Sequence, residues 1–294
     1  MATLYLKTAG GNWTASTTWS ATSAGGGDNA GPPTAADDCI AELLSGNVTI
    51  SAASVGKSFS ATAGTGTWVG TFTHNAFTLT ISGNITFSAG MTYTPLATST
   101  VVLAATNTLT TAGKLFPLMI LNTGITTTLA DNLSFMASKV IILTLNGNSL
   151  DMNGKTISGN SVTNRLLIRS DTLGTARTIT ISAGTFANVG LRDITASTST
   201  DISAITGLSG DCGGNTSFTF TSPSTQTATG TISATTNWSA LTWTSRVPLP
   251  QDDANVNITI DNTGLVMDMP RSGKTVDFSG ITLAGAAPQL RWNS

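Results

Sequence analysis

The chain reads as an all-β protein whose body is a β-solenoid, or β-helix-like stack. Three observations predict that class. First, from about Phe77 to Thr195 one short phrase recurs: a run of alternating or continuous apolar residues, then Gly or Asn, then another such run. Second, the central apolar residues Ile81, Leu103, Ile120, Leu143, Ile168 and Leu191 lie 22, 17, 23, 25 and 23 residues apart. A loose period near two dozen, with strands and turns but no helix-length segment, is the mark of coils stacked on one another. Third, threonine makes up close to a fifth of the chain, whereas charged residues make up only 10%. The β-branched side chain is stiff and suits a pleated surface.

The same composition bounds function. A formal net charge of −2 lacks the basic footprint of nucleic-acid binding. It also gives weak colloidal repulsion, which suits a fixed place in an assembly. No apolar run approaches a membrane span. The start, Met1-Ala-Thr-Leu-Tyr-Leu-Lys7, has neither a basic nor an apolar signal region. Cys39 and Cys212 are far apart and read as two free thiols. Synthesis in a reducing cytoplasm is the expectation.

In chain order, residues 1–60 form an opening module. It holds a strand at Thr3–Leu6, then Trp13, Trp19, a glycine-rich loop from Gly25 to Gly31, the Pro33…Asp37-Asp38 motif and a strand at 47–50. A short helix is expected over Ala35–Leu44, capped by Thr34 and stopped by Gly46. Residues 61–195 are the solenoid-like body. Its strand pairs include Thr78–Gly83 with Asn84–Ser88, Thr100–Leu103 with Asn107–Thr111, and Pro117–Leu121 with Ile125–Leu129. Lys139–Leu143 with Asn148–Met152 follows, then Arg165–Ile168 and Arg177–Ile181. Residues 196–235 read as a connector with a turn cluster at Asp211–Asn215 and one strand, Ser217–Phe220.

Residues 236–294 restate the opening module. Asn237-Trp238 and Trp243 echo Asn12-Trp13 and Trp19, and Pro248…Asp252-Asp253 echoes Pro33…Asp37-Asp38. Gly273-Lys274 echoes Gly56-Lys57, with the lysines 21 and 19 residues after Asp253 and Asp38. So many coincidences of type and spacing indicate a duplicated unit.

Candidate chemistry is sparse. Adjacent aspartates on a strand face opposite ways, so Asp37-Asp38 and Asp252-Asp253 suit turn hydrogen bonding better than calcium or acid–base work. Glycan hydrolysis needs two convergent carboxylates. The body offers Asp131, Asp151, Asp171, Asp193 and Asp201, and Glu42 is the one glutamate in the chain. Asp131 and Asp151 are about one coil apart and are the pair that stacking on neighbouring rungs would unite. Beside Asn and Gly, they read more simply as turn aspartates. His74, the single histidine, reads as a solvated residue in a polar Thr-His-Asn bend. Ala63-Gly-Thr-Gly66 lacks the lysine and helix of a phosphate loop. The paired tryptophans read as core residues rather than sugar platforms. Asn-x-Ser/Thr triplets at Asn47, Asn84 and Asn257 follow from composition. Threonine rows such as Thr126–Thr128 and Thr178–Thr180 do not recur at one offset, as an ice-binding ladder requires. No catalytic, cofactor-binding or metal-ligating residue is assigned.

The two modules resemble tailed-bacteriophage virion proteins. The likeness lies in Met1–Leu6 with Trp13, Trp19 and Pro33…Asp37-Asp38, and in Pro248–Asp253…Met267-Asp-Met-Pro-Arg271-Ser-Gly-Lys274…Asp277–Gly280. This resemblance implies a virion structural protein: a tail fibre, spike or surface-decorating subunit that acts in assembly and host attachment. The implied partners are other virion proteins and copies of itself, with a trimer favoured, and a host surface glycan. It brings no catalytic residue and no cofactor, and a non-enzymatic role is the expectation. The competing expectations are a glycan depolymerase on the same scaffold and a bacterial surface adhesin.

Overall fold

A computed structural model describes residues 2–64, 66–138, 141–147, 150–204, 209–269 and 272–292. The expected strand starts at Lys139 and Asn148, and Pro270-Arg271 of the second module, lie outside them. The chain is a β-solenoid of about ten turns. Each full coil crosses three faces. A long sheet of 11 strands forms one face and a sheet of eight strands a second. The third face is covered by two four-stranded sheets in succession. Pairing between successive coils is parallel, as the coil geometry demands, and strands Thr3–Leu6 and Trp19–Ser20 alone among these pair antiparallel.

Alternation decides which residues are buried, since successive strand residues face opposite sides. Strand Thr100–Leu103 buries Val101 and Leu103, and strand Leu118–Leu121 buries Met119 and Leu121. The register then stacks like on like. On the long face Leu4, Cys39, Phe59, Ile85, Leu109 and Leu129 follow in line. On the eight-stranded face the line is Leu79, Val101, Met119, Leu143, Ile168 and Leu191. Ile120, expected to be central, points outward. A shift of one residue moves a side chain to the opposite face.

Asparagines at three corners bond to the next coil. The side-chain oxygens of Asn47, Asn84 and Asn132 accept from the backbone N–H of Thr71, Thr108 and Thr156, each 24 residues on. These bonds occupy amides that a strand start would leave unpaired.

Two sequence expectations are corrected here. The helix over Ala35–Leu44 is absent. Thr34–Asp37 closes as a turn through the Asp37 N–H to Thr34 C=O bond, and Asp38–Ile40 is a strand between Thr3–Leu6 and Ser58–Ser60. A strand there completes the long sheet, which outweighs a weak local helix preference. The boundaries at residues 60, 195 and 235 also do not coincide with breaks in the sheets. The strands of residues 3–60 are the first coils of the long stack, and Ile194–Asp201 and Thr216–Thr219 are its last. One apolar core runs from Leu4 to Ile202 and a second from Ala228 to Met269. The second unit therefore starts at strand Thr225–Ile232, inside the expected connector.

Candidate functional site

The duplication seen in the sequence is a duplication of bonds. In the first unit the Trp19 indole N–H donates to the Trp13 carbonyl at 2.8 Å; in the second, Trp243 donates to Trp238 at 3.2 Å. Asp37 accepts from the Thr34 N–H three residues back and from the Ala2 N–H just before the first strand, at 3.0 and 2.8 Å. Asp252 accepts from Leu249 and Ser224 in the same positions, at 2.8 and 2.9 Å. The backbone N–H of Lys57 donates to the Asp37 carbonyl, and that of Lys274 to the Asp252 carbonyl. Register agrees as well: Thr3, Asp38 and Ser58 align in one unit, and Thr225, Asp253 and Thr275 in the other.

This arrangement starts a coil stack and covers its open edge. An unpaired edge strand invites further pairing. The segment carrying the second tryptophan lies antiparallel across that edge, with Leu6 opposite Trp19 and Ala228 opposite Trp243. All four indoles are buried and hydrogen-bonded. Trp13 and Trp19 meet edge-on with centroids 5.0 Å apart, and Trp238 and Trp243 are tilted at 57° with centroids 4.7 Å apart. Their faces are spent on packing, so none of the four is a platform for sugar stacking.

The second unit also seats on the end of the first. Pro250 lies over Gly210 so closely that a Cβ there would meet its ring at 2.3 Å. The Gln251 side chain accepts from the Asp211 N–H at 3.0 Å and donates to the Thr221 carbonyl at 3.1 Å. The Pro-x-x-x-Asp-Asp loop is thus a docking element as well as a turn. Around it, Asp211, Cys212, Pro223, Asp253 and Lys274 line a cleft of about 470 Å3.

The two members of each aspartate pair do different work. Asp37 is held below the ordinary carboxylate range by the Thr34 hydroxyl and the Ala2 amide. Asp38 faces away and pairs with Lys57 at 2.9 Å. In the second unit the inner aspartate takes the cation: Asp252 is fully buried and bonds Arg246 at 2.8 Å. The glycine-rich loop is organised by Asp28, which accepts from Ser20, Ala21 and Thr22 and is lowered to about 2, chiefly by the Ser20 hydroxyl. Nothing in the loop's spacing announced that role.

The body's carboxylates do not converge as a hydrolytic pair requires. Asp151 is in register with Thr128 and Thr180, and Asp131 lies three residues beyond Thr128, so the two do not stack. Asp131 accepts from the Thr111 and Ala112 amides, Asp151 from Asn153 and Asp201 from Ser203. Asp171 bonds Arg177, and Asp193 lies 3.8 Å from Arg192. Glu42 is buried and accepts from the Ala24 N–H. Among the described residues no three His, Cys, Asp or Glu side chains gather as a metal site would need.

His74 overturns its sequence reading. It is buried at an inward position of strand Thr71–His74, stacked on Ile50. Nε2 lies 2.9 Å from the Phe77 carbonyl, which can only accept, so Nε2 carries the proton. Nδ1 then accepts from the Tyr93 hydroxyl at 2.9 Å. Burial holds the imidazole near 4 and pushes the Tyr93 phenol upward. Cys39 is buried, which raises its thiol, and neither Cys39 nor Cys212 forms a disulfide.

Against family models, curated proteins and solved structures, the chain gave no match in any of the three comparisons.

Proposed function

We propose that this chain is a structural subunit of a bacteriophage particle, a fibre, spike or surface-decorating protein whose work is assembly and host contact. The observation that carries the reading is the repeated tryptophan and Pro-x-x-x-Asp-Asp unit, which closes the start of each coil stack and, in its second copy, seats on the end of the first. A protein built to join coil stacks end to end is suited to an extended, load-resisting part. Coils that bond to their neighbours and bury a continuous core suit exposure outside a cell. The family resemblance of the same modules supplies the particle. A depolymerase on this scaffold would need paired carboxylates, and the aspartates described above are taken up by amides and arginines instead.

Immunogold labelling tests the proposal. Antibody raised against the purified chain should decorate intact particles at one recurrent location. Gold confined to unassembled protein would count against a place on the particle.

A further inference from the structure

The three faces of the long stack present different outer surfaces. Outward positions on the long face form a polar row that includes Ser58, Asn84, Thr108, Thr128, Asp151 and Thr180. The third face presents chiefly hydroxyls, with Thr49, Thr73 and Thr94 aligned on its first sheet and Ser134 beside Ser158 on its second. The eight-stranded face differs. Its outward rows carry Val102 and Ile120 in one line and the half-buried Leu118 and Ile142 in the other, with Leu167 beside Ile142 already buried. Val102, Leu118, Ile120 and Ile142 adjoin one another on three consecutive strands, from Thr100–Leu103 to Ile142–Leu145. Thr80 and Thr100 border them on one side, and Arg169 and Arg192 on the other. An apolar centre with polar margins is the anatomy of a protein interface, and a contiguous apolar patch outside a fold marks a contact site.

We infer that this face is where two copies of the chain associate, back to back, about a two-fold axis near strand Leu118–Leu121. The inference rests on reading the chain as an assembly subunit. Three arguments identify the occupant. A row of side chains repeating at a strand spacing of about 4.8 Å is matched best by another row of the same period, which a second copy supplies. The size is sufficient: eight strands at about 4.8 Å, each about four residues of 3.3 Å, make a face of roughly 500 Å2. Two such faces hide about 1,000 Å2 before side-chain relief is counted, the size at which specific interfaces begin. Charge then sets the orientation. Parallel copies would bring Arg169 and Arg192 against their own counterparts, and like charges facing each other are costly. The two-fold arrangement lays the arginine end of each copy over the neutral Thr80 and Thr100 end of the other.

Sedimentation velocity over a range of concentrations tests this on the full chain. Wild type should be a dimer. Ile120→Glu and, independently, Ile142→Glu should give monomers with unchanged circular dichroism and urea midpoint. Thr92→Glu, on the third face, should leave the dimer intact. A wild-type monomer throughout, or a trimer, overturns the proposal. So does a dimer that both face substitutions leave unchanged, which would relocate the interface while keeping the assembly reading. Failure of that reading shows separately, as particles that the antibody does not label.

Discussion

His74 links one side chain to the stability of the whole coil. Its folded-state imidazole titrates near 4 because burial disfavours the charged form, whereas an unfolded histidine titrates near 6.5. Between these values the unfolded chain binds more protons, so stability falls as pH drops from about 6.5 to about 4 and is unaffected above that window. The expected loss between pH 7 and pH 4.5 is about 2–3 kcal/mol. His74→Gln, which keeps a donor and an acceptor but cannot take up the proton, should lose most of this dependence in urea titrations at the two pH values. Equal sensitivity in both proteins would contradict the assignment. Asp28 and Asp37 act in a separate range, because their lowered values place their losses below 3.8. A second residue-scale contrast concerns the paired aspartates. Asp252→Asn leaves the Arg246 guanidinium without its buried partner and should cost about 3–5 kcal/mol. Asp38→Asn breaks a half-exposed pair with Lys57 and should cost under about 1 kcal/mol. Chemical denaturation of the two variants checks the order. His74 misled the sequence reading because its burial is set by the neighbouring coil, which local polarity does not record.

At the scale of strands and coils, stacking is the source of stability. Leu143 sits between Met119 and Ile168 in the line of inward side chains. Leu143→Ala should cost about 2–5 kcal/mol through lost contact and a cavity, whereas Thr128→Ala, on the outer polar row, should stay within about 0.5 kcal/mol. Urea midpoints for both separate core from ladder, and equal losses would contradict the register. Much of this scale was legible. Strands Thr3–Leu6 and Thr100–Leu103 stand where the apolar pattern put them, because a coil repeats its turn residues and strands together. The phase was less legible. Short runs such as Leu118–Leu121 are apolar at every position, so alternation does not say which two residues face in, and Ile120 was misplaced. The expected helix failed for a related reason, since the partners of Asp38–Ile40 are Thr3–Leu6 and Ser58–Ser60, both remote in sequence.

For the molecule as a whole, the duplicated unit was plain in the sequence because each of its residues has a fixed bonding task. Tryptophan, proline, aspartate and lysine recur at similar spacing where the same N–H and C=O groups must be met. The start of the second unit was not plain, since strand Thr225–Ile232 continues the serine- and threonine-rich composition of the segment before it. The junction between the two cores depends on close approach at Gly210. Gly210→Ala would drive a methyl group into the Pro250 ring. It should loosen the seating of the second unit while leaving the first core intact. Limited proteolysis should then cut between Thr221 and Thr225 at least several-fold faster, with little change in the urea midpoint of the first stack. Unchanged cleavage would mean that the units are not held by this contact.

The central claim, that the chain is a built-in part of a phage particle, is tested most directly by quantitative mass spectrometry of gradient-purified particles. The account predicts the full chain in the particle fraction at a fixed copy number, the same from one preparation to the next and retained after a high-salt wash. Its absence from washed particles, or an amount that varies freely between preparations, would contradict the account.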